Sequence, residues 1–121
     1  MPDVQELLRM ARELGEAIAK NERTRAYLAA QQAVQKDAAA RSLLEEYGRH
    51  MGRIRKLELE QKPIEVADKH KVAEYEQEIS GNDVLKNLMR SQADYVQLMN
   101  QINSAMETPL TATAQQAQKP A

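Results

Sequence analysis

Between Asn82 and Met106 the positions Leu85, Leu88, Gln92, Tyr95, Met99, Ile102 and Met106 follow one another at alternating steps of three and four. Such steps keep side chains on one narrow stripe of an α-helix, the pattern by which helices pack lengthwise. Val84, Val96 and Leu98 widen the stripe, which predicts cover from more than one neighbour. About 25 helical residues make a rod of roughly 37 Å, longer than a small globule needs. Gln92 is the one polar member of the stripe. Buried, its amide needs a partner and can fix register; at the stripe's edge it simply reaches water.

The helical period recurs upstream. Asp3 and Glu6 stand in the D-x-x-E relation of a capping pair. Val4, Leu7, Leu8, Ala11, Leu14 and Ile18 then mark one face of a helix to about Lys20. Asn21 predicts an interruption and a new cap. The helix after it, about 22–36, has Ala26, Tyr27, Ala30, Ala33 and Val34 on its apolar side. Being Ala-rich, it combines high propensity with modest burial. Asp37 predicts the cap of a third helix reaching about Glu60, with the stripe Leu43, Leu44, Tyr47, Met51, Ile54 and Leu57. Gly48 and Gly52 lie beside that stripe and each cost about 1 kcal/mol relative to Ala. Close backbone contact, a bend or plain exposure would each account for them.

Pro63 ends the third helix, because a proline disfavours helical geometry at the residue before it. It can itself open a fourth, to about Ile79, with Ile64, Ala67, Asp68, Val72, Tyr75 and Ile79 on one side. Ser80-Gly81-Asn82 reads as a C-cap glycine followed by an N-cap, hence a tight reversal and a helical hairpin about Gly81. After Met106 the pattern stops, and residues 107–121, with two prolines, Thr/Ala alternation and a Gln run, predict a disordered tail. The expected fold is all-α: an elongated bundle of about five helices over residues 1–106, built around a long C-terminal helical hairpin and oligomeric.

The oligomer follows from composition. Of 121 residues, Ala supplies 18, Leu, Ile and Val together only 23, and Phe and Trp are absent. That is a thin core for a compact monomer, while a net charge of −1 and a strong period argue against disorder. Near-neutrality gives no reason to invoke nucleic acid or an acidic membrane as the bulk partner. With no cysteine there is no disulfide, thiolate metal site or cysteine nucleophile. The first residues acquire charge at once, unlike a secretory signal. The uncharged run Tyr95–Met106 falls far short of the roughly 20 residues that span a bilayer. A cytoplasmic protein without membrane insertion is expected.

Taken together, the ordering of these signals resembles the YlbF/YmcA family of small helical bacterial regulators. The matching features are the N-terminal amphipathic helix, Asn21-Glu22 and Tyr27 ahead of an Ala-rich segment, and Asp37 before Leu43-Leu44-x-x-Tyr47. They continue with Gln61 near a break, then Ile79 and Asn82-x-Val84 leading into a final helix through Leu98, Met99 and Ile102. The resemblance covers roughly residues 4–106. It implies an all-helical, oligomeric, non-enzymatic protein. Family members in spore-forming bacteria act in multi-protein assemblies that influence competence, sporulation, biofilm formation and RNA processing by a membrane-associated ribonuclease. Some of those assemblies bind iron–sulfur clusters through cysteines, which this chain lacks, so a cluster held by this chain is excluded.

The residues offer little for catalysis. His50 and His70 are 20 positions apart on faces expected to be exposed, and a metal site needs about three or four converging ligands. His70 with Glu74 and nearby Asp68 reads best as solvated polar surface. Glu45 and Glu46 are adjacent and point apart, and there is no phosphate loop or Ser–His–acid set. No enzyme, cofactor, metal or small-molecule substrate is expected. The candidate self-association surface is Leu44, Tyr47, Met51 and Ile54 of the third helix with Leu85, Leu88, Gln92, Tyr95, Met99 and Ile102 of the last. Ala26, Tyr27 and Ala30 form a secondary one. Met51, Met89, Met99 and Met106 add adaptable side chains near these seams. Arg49, Arg53 and Lys56 share a face that could dock an anionic partner, although i,i+4 pairing with Glu45, Glu46, Glu58 and Glu60 is the simpler account. Opposite them, Glu74, Glu76 and Glu78 could set helix orientation. The leading expectation is a regulator or adaptor acting through itself and a protein partner. Rival expectations are a helical scaffold or chaperone-like protein holding client segments, and an RNA-binding accessory protein using the 49–56 cluster.

Overall fold

The computed structural model describes Met1 and residues 3–118 and places nearly all of them in five α-helices. These are α1 (Val4–Lys20), α2 (Glu22–Lys36), α3 (Ala38–Leu59), α4 (Val66–Gly81) and α5 (Asp83–Gln118). The all-α class and the five helices are those the periodicity predicts.

Three of the four connections are a single residue: Asn21, Asp37 and Asn82. Each has extended backbone, with ψ of 143°, 105° and 117°. One extended residue between helices makes a bend, and each bend is bonded in three ways. Its N–H donates back to the carbonyl of Ile18, Val34 or Ile79. Its carbonyl accepts the first bond of the next helix, from the N–H of Arg25, Arg41 or Lys86. Its side-chain oxygen accepts from an otherwise orphaned N–H, that of Arg23, Ala40 or Leu85. Asn and Asp serve here because a short side-chain oxygen reaches the first-turn donors without disturbing the helix.

The fourth connection reverses the chain. Gln61 sits in the left-handed region with φ 58°. Its N–H donates to the Glu58 carbonyl and that of Lys62 to the Leu57 carbonyl, the paired bonds of a Schellman ending. Pro63 therefore lies in the connection, and α4 opens at Val66, later than the proline start expected. Two aromatic pairs show how the arms face each other. Tyr27 stacks on Tyr95 with centroids 5.2 Å apart, and Tyr47 meets Tyr75 edge-on at 6.2 Å. The sequence midpoint of both pairs is Gln61. The body is thus one long hairpin with arms α2–α3 and α4–α5, α2 lying on α5 and α3 on α4, each arm bent at one residue.

That arrangement corrects two expectations. The junction at Gly81 is present, but it is a bend and not the reversal. Gly81 ends α4 without a positive φ, and Asn82 does the capping. One residue is too short a link for antiparallel neighbours, which take two or more. The second correction concerns the tail. α5 continues through residues 107–118, with Pro109 inside it, and residues 119–121 lie outside the described residues. The Thr108 and Thr113 hydroxyls donate to the Ser104 and Pro109 carbonyls, one turn back. Every described side chain from Asn103 onward is exposed. The weakening of the apolar period there marks an absence of intramolecular cover, not an absence of helix. Gly48 and Gly52 are exposed, and a Cβ on either meets nothing within 4 Å.

The core sits where both arms bend. Val34, Ala40, Ile79 and Leu85, one from each of α2 to α5, form a buried cluster with Leu43, Leu44, Tyr47, Val84 and Leu88 packed around it. Ala40 and Leu85 are fully buried, and theirs are the N–H groups that Asp37 and Asn82 cap. Replacing Leu85 with Ala is expected to lower unfolding free energy by about 2–5 kcal/mol. Asn82→Ala is expected to lower it by about 1 kcal/mol, with Asn82→Gly milder. Urea melts followed by far-UV circular dichroism measure all three.

Candidate interaction surfaces

Between α3 and α4 the polar residues are bonded to one another. His50 Nε2 lies 3.0 Å from the Asp68 carbonyl oxygen. A carbonyl can only accept, so that nitrogen carries the proton. Arg53 stands 3.8 Å from the Asp68 carboxylate, whose side chain is buried and whose second oxygen has no partner. Lys71 lies over the Tyr75 ring at 5.0 Å. Of the proposed anionic-partner patch, Arg53 is thus engaged with Asp68, while Arg49 and Lys56 are exposed. Glu46, Arg49, His50, Arg53 and Tyr75 border a shallow groove of mixed charge. Among the described residues no three His, Cys, Asp or Glu side chains converge as a metal site.

Tyr47 joins the arms through its hydroxyl, which donates to Glu76 at 3.4 Å. Burial, then the Glu76 charge and the hydrogen bond to it, raise its pKa above the ordinary 10.0. A folded phenol that holds its proton more tightly than the unfolded one contributes stability below pH 10, lost as pH rises through the folded value. Unfolding free energy is therefore expected to fall above pH 10, and to fall less steeply in Glu76→Gln. Urea titrations across that range, beside an ultraviolet titration of the tyrosines, check both.

The residues expected to make the self-association surface are largely used within the chain. Leu44, Tyr47, Leu85 and Leu88 belong to or line the core cluster, Ile54 is buried and Met51 half-buried. Tyr95 stacks on Tyr27, and Ala30 is buried. Met99 and Ile102 are half-buried, and Gln92 is exposed, so the amide sits at the stripe's edge. A charge at Tyr95 would break an intramolecular seam. Tyr95→Asp is expected to unfold the chain or lower its melting midpoint sharply, read by circular dichroism.

What remains open lies elsewhere. No residue of α1 is buried, although its amphipathic face is the sharpest in the molecule. Val4, Leu7, Leu8, Met10 and Leu14 are all exposed, Val4 to 68% and Leu7 to 54%. Its polar side is tied by Arg9, which pairs with both Glu6 and Glu13. On α5 a second stripe is exposed: Met89, Gln92, Val96, Asn103, Met106 and Leu110, with half-buried Met99 among them. It too steps by three and four, and it shares Gln92, Met99 and Met106 with the first. The signal was present in the sequence but masked by its stronger neighbour. Among the described residues no helix is long and apolar enough to cross a membrane.

A family model described as control of competence regulator ComK, YlbF/YmcA, matches residues 7–111. The chain belongs to the YlbF/YmcA family. The match runs five residues beyond Met106, to Thr111, and stops short of the end of α5. Among solved structures similar to this YlbF/YmcA protein is the X-ray crystal structure of Bacillus subtilis RicA in complex with RicF. It superposes with a TM-score of 0.76 at 16% identity, over 93% of this chain and 99% of the RicF-bound structure's matched chain. At that identity the likeness establishes the shared helical fold. No curated protein sequence matches the chain significantly.

Proposed function

We propose that this YlbF/YmcA protein is a non-enzymatic regulatory adaptor that works by presenting helical faces to a second copy of itself and to a distinct protein partner. The observation that carries the reading is α1: 17 residues with none buried and five large apolar side chains exposed. An apolar stripe of that extent on a helix with no internal role marks a surface for association. Family membership supports a regulatory role, and the structure of the similar RicA in complex with RicF supports a protein partner. The intramolecular bonding of the α3–α4 polar residues supports a structural part for them and no chemistry. We place the protein in the cytoplasm, consistent with a cysteine-free chain.

The reading is tested by isolating the tagged chain from its native host and weighing the intact complex by native mass spectrometry. More than one copy of the chain with a distinct protein in fixed ratio is the expected result. A chain recovered singly and unaccompanied counts against it.

A further inference from the structure

Beyond Lys36, α2 gives way to α3; before Glu22 it gives way to α1, and this second end decides what α5 lacks. In the register set by Tyr27 on Tyr95, Glu22 stands opposite Asn100. From about Asn103 to Gln118, α5 therefore runs on with no α2 beside it, and all its described side chains are exposed. Residues 95–118 carry one charged side chain, Glu107. Thr108, Pro109, Thr111 and Thr113 make this stretch a poor helix former by intrinsic propensity. Such a segment draws its helicity from a packing partner along an apolar face.

We infer that the partner is α1 of a second copy of this chain, laid along the uncovered part of α5 from about Asn103 through Met106 and Leu110, with the same contact repeated in return. The inference rests on the self-association reading above and names its surface. Three observations commit it to a second copy. The two unpartnered elements match in length: α1 has 17 residues, about 25 Å, and 103–118 makes about 24 Å. They match in character, one a charge-poor helix needing cover, the other a helix with an apolar face and a charged back of Glu6, Arg9, Arg12, Glu13 and Glu16. Because both are open on every molecule, one two-fold axis satisfies both at once, as an isologous dimer requires. The area agrees. The chain exposes 9646 Å², whereas a compact monomer of its mass exposes about 6,600 Å². The excess of about 3,000 Å² exceeds the ~1,000–2,500 Å² that each chain of an obligate dimer buries.

Sedimentation equilibrium and cross-linking of the full chain test this. The unsubstituted chain is expected at twice its 13.7 kDa mass. Leu7→Glu with Leu14→Glu is expected at the single-chain mass with circular dichroism retained over the body, and Met106→Glu with Leu110→Glu at the same mass. The chain has no cysteine, so introduced thiols report alone. Ala11 and Leu110 lie near the middle of the two matched segments, which makes their meeting independent of the direction in which α1 runs. Ala11→Cys with Leu110→Cys on one chain is expected to give a covalent dimer on oxidation, and either single variant none. A dimer indifferent to both charged pairs, a cross-link within one chain, or dimers from Ala11→Cys alone would overturn the α1–α5 pairing and leave self-association standing. A different protein held on α1 would likewise overturn the pairing alone, whereas a single-chain mass for the unsubstituted protein would overturn both the pairing and the self-association reading.

Discussion

A polar side chain holding a bend beside a buried residue is the device on which this fold depends. Asp37 and Asn82 each interrupt an arm with one extended residue and each cap the N–H three positions on. That third residue is Ala40 in one arm and Leu85 in the other, and both are fully buried. The cap therefore fixes the helix start and the depth of the residue at the centre of the core. Separating the two is not possible: an uncapped bend leaves a buried backbone donor unsatisfied at the junction of four helices. At Asn21 the side chain caps the N–H only two positions on, that of exposed Arg23, and α1 before it is left uncovered.

A hairpin of bent rods has little interior. Six apolar residues are buried among those described, and most of the remaining contact is half-buried, aromatic on aromatic or alanine on neighbour. Such a molecule holds its shape through many caps and one central cluster. Its ends, α1 and the far part of α5, lie outside the reach of that cluster. The geometry thus divides the chain into a self-sufficient middle and two unsatisfied ends.

Local signals proved the more legible. The bends at Asn21, Asp37 and Asn82, the helix between each, and the amphipathic face of α1 all follow from side chains that act on their own backbone within four residues. The site of the reversal does not. Gly81 looked like a turn because glycine tolerates left-handed backbone, but the left-handed residue is Gln61, whose side chain carries no such signal. The pairing of Tyr27 with Tyr95 and of Tyr47 with Tyr75, contacts far apart in sequence, centres on that residue. His50 was expected to be exposed for a similar reason: its partner, the Asp68 carbonyl, comes from another helix.

The α5 stripes show why an interface was harder to place than a helix. Leu85, Leu88, Tyr95 and Ile102 share a face with Gln92, Met99 and Met106, and the latter three equally belong with Met89, Val96, Asn103 and Leu110. A period of three and four cannot say which of two adjacent faces meets the same chain and which meets another. Side-chain size breaks the tie. The face holding the aromatic and the fully buried leucine turns inward to the Ala-rich α2, where close approach rewards shape. The face built on methionines and amides is the one left open within the chain, and flexible thioethers beside uncharged polar groups are side chains that tolerate water there.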